Sequence, residues 1–133
     1  MEIARALYDE MVQHARADAP NECCGMIAAD AEGKLVAVHQ MVNAAASPLR
    51  YVMDPTEQYQ VEYKQIYDAG LEVGVVYHSH TRSAPYPSQT DINLANHPDS
   101  VYVIVGLDKG ELDVRGFMIR DGRVDEVAIT VLD

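Results

Sequence analysis

The chain has 133 residues, 48% hydrophobic and 23% charged, the mix of a globular protein long enough to bury a core without disulfide or metal staples. Ten Lys and Arg against 21 Asp and Glu leave a formal charge of −11, a balance that repels phosphate backbones and sets nucleic-acid binding aside. No apolar run approaches the ~20 residues that span a bilayer, and Met1-Glu2-Ile3-Ala4-Arg5 lacks the basic and apolar regions of a secretory signal.

The two cysteines, Cys23 and Cys24, are neighbours and cannot frame a disulfide scaffold. A cytoplasmic protein of one domain, residues 1–133, is the expectation, with no membrane partner and no nucleic acid. Ile3, Leu7 and Met11 recur at i+4 and predict an amphipathic helix from about Ile3 to Ala17, closed by Pro20-Asn21. Cys23 to Ala29 is a short apolar run expected as a buried strand, and Glu32-Gly33 turns the chain into a second strand over Lys34–Val42. Asp54-Pro55-Thr56-Glu57 is a helix start: an N-cap, a proline at the first helical position and a glutamate able to complete a capping box. That helix should run to Ala69 and stop at Gly70. Its tyrosines Tyr59, Tyr63 and Tyr67, spaced by four, are expected to pack on a sheet, with a partner surface as the lesser reading.

Leu71–Tyr77 and Ser100–Val105 read as buried strands. Leu112–Ile119 and Val124–Val131 flank Asp121-Gly122, a hairpin turn signal. Helices and strands alternate early and the end of the chain is a meander, which predicts an α/β fold with a mixed sheet flanked by helices.

The chemistry concentrates between Tyr77 and Asp91. His78 and His80 end a buried strand, so their side chains share one face with Cα atoms about 6.6 Å apart and can converge on one ion. Asp91 can add an oxygen, and two nitrogens with one carboxylate leave a tetrahedral zinc one open position. Either half of the pattern also has a plain structural reading. A histidine pair suits a half-solvated strand face, and Ser88-x-x-Asp91 before Ile92-Asn93-Leu94 is a good capping box. Ser88 can serve both roles, its oxygen accepting from a helix N–H while its O–H donates elsewhere.

His78-Ser79-His80, seven residues, then Ser88-x-x-Asp91 resembles the signature of the JAMM metalloproteases, the catalytically competent MPN-domain family. The resemblance covers nearly the whole chain and implies a single MPN domain with a cytidine-deaminase-like mixed sheet. It implies zinc held by His78, His80 and Asp91, an upstream general base at Glu22, and an oxyanion donor at Ser88. Without the resemblance Glu22 reads as a solvated loop residue. Tyr77–Thr81, Tyr86–Asp91 and Val101–Val105 look closest to a bacterial branch that removes cysteine from the C-terminus of a small ubiquitin-like sulfur carrier protein. Thr81 stands where many members have proline, and the cysteine-releasing branch tolerates threonine there.

Three alternatives stay beside that one. An isopeptidase acting on a ubiquitin-like modifier attached to lysine would use the same chemistry. A non-catalytic MPN scaffold would have lost its ligands, and a zinc deaminase would need an H-x-E and C-x-x-C pair that this chain lacks. Ser79, between the histidines, faces away from the ion. Cys23 and Cys24 project to opposite strand faces as small hydrophobes. His97 before Pro98 is expected to complement a helix end. Arg82, in the loop between the ligands, reads either as solvated or as the group that meets a leaving carboxylate.

Overall fold

The computed structural model describes residues 1–133. Its elements in chain order are β1 (Glu2–Ala4), α1 (Arg5–Asp18), β2 (Cys24–Ala29), β3 (Leu35–Met41), α2 (Pro55–Tyr59), β4 (Glu72–His80), α3 (Gln89–Leu94), β5 (Val101–Gly106), β6 (Asp113–Arg120), β7 (Arg123–Val127) and β8 (Thr130–Leu132). α2 runs on into a π-helical stretch, Gln60–Ile66, and a 3-10 turn, Tyr67–Ala69. Gly70 then ends the helix at φ +78°, a conformation that suits glycine.

Six strands form a mixed sheet in the order β3-β2-β4-β5-β6-β7. Only β4 and β5 run parallel, and the chain crosses between them through α3. Alternation along β2 and β4 divides the core in two. Cys23, Ile27, Val75 and Tyr77 face α1, with Ile3 and Met11 packed among them. Cys24, Met26 and Val76 face the second helix, against its Val61 and Ile66. The adjacent cysteines therefore lie on opposite faces, both free and buried. The bury-and-alternate pattern also sends His78 and His80 to the second-helix face and Ser79 to the α1 face.

Four expectations need correction. Ile3 does not begin the first helix: Glu2–Ala4 is a strand, parallel to β8, and Ile3 is buried by that pairing. The run Val124–Val131 is two strands, because β7 stays in the hairpin with β6 while Thr130–Leu132 leaves to pair with β1. Asp54 caps α2, accepting from the N–H groups of Thr56 and Glu57, but the Glu57 carboxylate accepts from the N–H of Val42 rather than closing a capping box. The fourth concerns the tyrosines: Tyr59 and Tyr63 are each 49% exposed and Tyr67 36%. Val61 and Ile66 fill the core-facing positions, and a residue two positions away lies about 200° round the helix.

Candidate metal centre

His78 and His80 sit at the C-terminal end of β4, the middle of the sheet, both buried. Asp91 is brought to them by α3. Ser88 caps that helix, its Oγ accepting from the Asp91 N–H at 3.1 Å, while Asp91 Oδ2 accepts from the Ser88 N–H at 2.9 Å. The capping box read in the sequence is therefore also the clamp that aims the Asp91 carboxylate inward.

Asp91 Oδ2 lies 3.2 Å from His78 Nε2 and 3.2 Å from His80 Nε2, and the two nitrogens are 3.0 Å apart. Four ligands at about 2.0 Å from a tetrahedral zinc would be about 3.3 Å apart, so the triangle has nearly the size such an ion requires. The proton count agrees. His80 Nδ1 is 2.8 Å from the Ala84 carbonyl, which can only accept, so this nitrogen carries the hydrogen and the neutral ring leaves a lone pair on Nε2. That lone pair faces a carboxylate oxygen and another imidazole nitrogen, an arrangement that calls for a cation between them. The donor set fits zinc.

The electrostatics follow from burial and from this convergence. Burial pushes His78 down, which keeps its ring in the neutral form a metal would require. For His80 burial works the same way, but the bonds to Asp91 and to the Ala84 carbonyl outweigh it and the site raises its affinity for a proton. Burial opposes ionisation of Asp91 as well, yet the bonds from His78, His80 and the Ser88 N–H hold its carboxyl well below the usual range.

Glu22 is buried, only 4% exposed, so the solvated alternative is set aside by the structure. A carboxylate oxygen of Glu22 and a ring nitrogen from each of His78 and His80 lie within 4.8 Å of one another. Burial lifts its pKa to about 7; the nearby His80 lowers it in part and Asp91 adds to the rise. Its backbone is fixed at both ends, the N–H donating to the Ser47 carbonyl and the carbonyl accepting from Asn43 Nδ2.

Sequence reasoning missed several supports. Tyr51 stacks on His78, ring centroids 4.5 Å apart at 27°. Asn43 ties the Glu22 and Arg50 carbonyls together and accepts from the N–H groups of Ala45 and Val52. Neither residue carries a periodic or motif signal, since both act through loops that come together only in the fold. Ser79 Oγ accepts from the Cys23 N–H at 2.8 Å on the far face, as its position between the two histidines required. His97 does not complement a helix end; its ring pairs with the buried Glu62 of the π-helical stretch. Arg82 lies exposed in the loop after β4. Thr81 anchors the start of that loop, donating to the Pro20 carbonyl at 2.8 Å. A cavity of about 370 Å³ opens beside the site, walled by Arg50, Tyr51, Met53, Ser88, Asp91 and Tyr102 among others.

Residues 4–119 match the family described as prokaryotic homologs of the JAB domain. Over 129 residues the chain is 40% identical to the CysO-cysteine peptidase of Mycobacterium tuberculosis, covering 96% of this chain and 88% of the relative. It is 37% identical over 114 residues to the desampylase of Haloferax volcanii, 81% of each protein being covered. The solution structure of protein DSY2949 from Desulfitobacterium hafniense superposes with a TM-score of 0.86 at 30% identity, covering all of this chain and 94% of that one.

Proposed function

This chain belongs to the family of prokaryotic JAB-domain homologues, the JAMM metallopeptidases, and on that premise we propose that it hydrolyses the amide bond joining cysteine to the C-terminus of a ubiquitin-like sulfur carrier protein. The observation that carries the chemistry is the convergence of His78 Nε2, His80 Nε2 and Asp91 Oδ2 within 3.2 Å of one another. The substrate class is supported by the 40% identity with a peptidase named for a carrier–cysteine adduct. We place the activity in the cytoplasm, as a one-domain enzyme, a setting that suits two free cysteines.

His78, His80 and Asp91 hold the zinc in this reading. When bound, the ion lowers the pKa of a coordinated water and polarises the scissile carbonyl. Glu22 then works beside the ligands. Its carboxylate, lifted to about 7 by burial, is poised to take the proton of the attacking water and to release it to the leaving amine. Ser88 has its Oγ lone pair committed to the Asp91 N–H, which leaves its O–H free to donate to the developing oxyanion, a contact typically worth ~3 kcal/mol. Arg82, on the loop between the ligands, meets the carboxylate of the departing cysteine.

Mass spectrometry of a carrier–cysteine adduct before and after incubation tests this. Loss of one cysteine residue from the carrier with zinc-loaded wild type, and no loss with Glu22→Gln, is the expected result. An adduct left intact by the zinc-loaded enzyme, with a lysine-linked conjugate cleaved under the same conditions, assigns the chain to the isopeptidase alternative instead.

A further inference from the structure

The three exposed tyrosines of the second helix form one continuous surface. Tyr59 and Tyr63 stack with centroids 5.4 Å apart at 27°, and Tyr67 meets Tyr63 edge-on at 5.2 Å. Lys64 Nζ lies 5.8 Å from the Tyr59 ring centre. Each ring therefore braces the next, so the stripe is held in place before anything binds it. Tyrosines in such a setting are the residues that most often anchor protein interfaces, because they offer a large contact area at a small cost in side-chain entropy.

The stripe is joined to the site. A groove of about 510 Å³ runs along it, walled by Tyr59, Tyr63, Tyr67, Gln58, Asn96 and His97. Gln58, Asn96 and His97 also wall the cavity that opens onto Ser88 and Asp91. The aromatic face and the candidate catalytic residues thus border two neighbouring cavities that share three walls. Glu62, which walls the groove, pairs with His97, which walls both cavities. A substrate whose last residues lie in the cavity and leave it past Gln58, Asn96 and His97 places its preceding, folded part over the tyrosines. The charge adds direction: with Glu62 buried against His97, the helix from Asp54 to Ala69 still carries Asp54, Glu57 and Asp68 against Lys64 alone, within a chain of net charge −11.

We propose that the Tyr59–Tyr63–Tyr67 face is the docking surface for the folded body of the ubiquitin-like carrier, meeting an apolar patch rimmed with basic residues. The inference rests on the proposed function and adds to it where the substrate's bulk is gripped. It also explains how a compact chain can select a whole protein when the scissile bond lies at the end of a tail.

The test compares two substrates bearing the same terminal cysteine: a full CysO–cysteine adduct, and a synthetic peptide of the carrier's last eight residues ending in that cysteine. Tyr63→Ala and, separately, Tyr59→Ala are measured against both, with zinc content and melting temperature as controls for folding. The expected result is a loss in kcat/KM of about 10-fold or more on the folded adduct, carried by KM with kcat unchanged. Turnover of the peptide stays within 2-fold of wild type. Equal losses on both substrates, or no loss on the adduct, overturn the docking surface while leaving the proposed function standing. Failure of wild type to release cysteine from either substrate overturns the proposed function itself. A dimer in wild type that becomes monomeric in Tyr63→Ala assigns the face to a second copy of this chain and likewise overturns the proposal.

Discussion

Ser79→Ala tests how the two faces of β4 are coupled. The hydroxyl is fully buried and accepts from the Cys23 N–H at 2.8 Å, while the Ser79 N–H donates to the Cys23 carbonyl. Alanine removes the acceptor and leaves a backbone N–H without a partner in the interior. Such an orphaned group costs about 1–3 kcal/mol. With an unfolding entropy of about 2.1 cal/mol/K per residue over 133 residues, melting should fall by about 4–11 °C. Zinc should remain bound, because His78 and His80 project to the opposite face. Activity should fall nonetheless, since the lost bond holds Cys23, and with it Glu22, against the end of β4. Calorimetry, zinc content and kcat on one substrate give all three readouts. An unchanged melting temperature refutes the buried bond. A lower melting temperature with unchanged kcat refutes the claim that this bond registers Glu22 on the ligands.

His80→Ala should bind far less than one zinc per chain, read by elemental analysis, with wild type near one. Gly25→Ala should destabilise by about 1–3 kcal/mol or more, because the added Cβ would lie 2.4 Å from the Tyr77 phenol, which is held by His14 at 2.7 Å. Chemical denaturation reads that loss. In metal-stripped protein, Glu22→Gln should melt higher than wild type with a gain that depends on pH. Burial raises the carboxyl to about 7, so wild type loses stability as pH rises from the unfolded value near 4.5 through 7, and glutamine does not. The two melting curves should coincide near pH 4 and separate up to about pH 8; a gap independent of pH removes the buried-charge account. Arg82→Ala should lower kcat/KM on the carrier–cysteine adduct and leave a carrier ending in cysteinamide unaffected, if the guanidinium meets the leaving carboxylate.

What the sequence made legible follows from how local each signal is. The strand alternation that puts His78 and His80 on one face, and the cap that starts a helix at Ser88, are decided within a few residues, so spacing alone reveals them. The split of Val124–Val131 was hidden because it depends on β1, more than a hundred residues away in the chain, offering an edge to Thr130–Leu132. The tyrosine stripe misled for a related reason. Spacing by four shows that residues share a face but not which face is inside, and here Val61 and Ile66 occupy it. Glu62 and His97 are 35 positions apart, and nothing in either neighbourhood marks them as partners.

Ser88 and Asp91 show why a structural signal and a chemical one need not compete. A capping box fixes a carboxylate by giving one of its oxygens a backbone N–H to accept, which is also what a metal ligand needs from its surroundings. Asp91 Oδ2 accepts from Ser88 and points at both histidines with the same atom. The short helix behind it has no fully buried residue, so packing of α3 alone would not hold that oxygen in place. Its far end is tied instead, where the N–H groups of Asn96 and His97 both donate to the buried Tyr102 hydroxyl. Removing that hydroxyl with Tyr102→Phe should therefore weaken zinc binding, measured by competition with a chelator, more than it lowers the melting temperature. A loss of stability with unchanged zinc affinity would show that the capping box positions Asp91 without help from the other end of its helix.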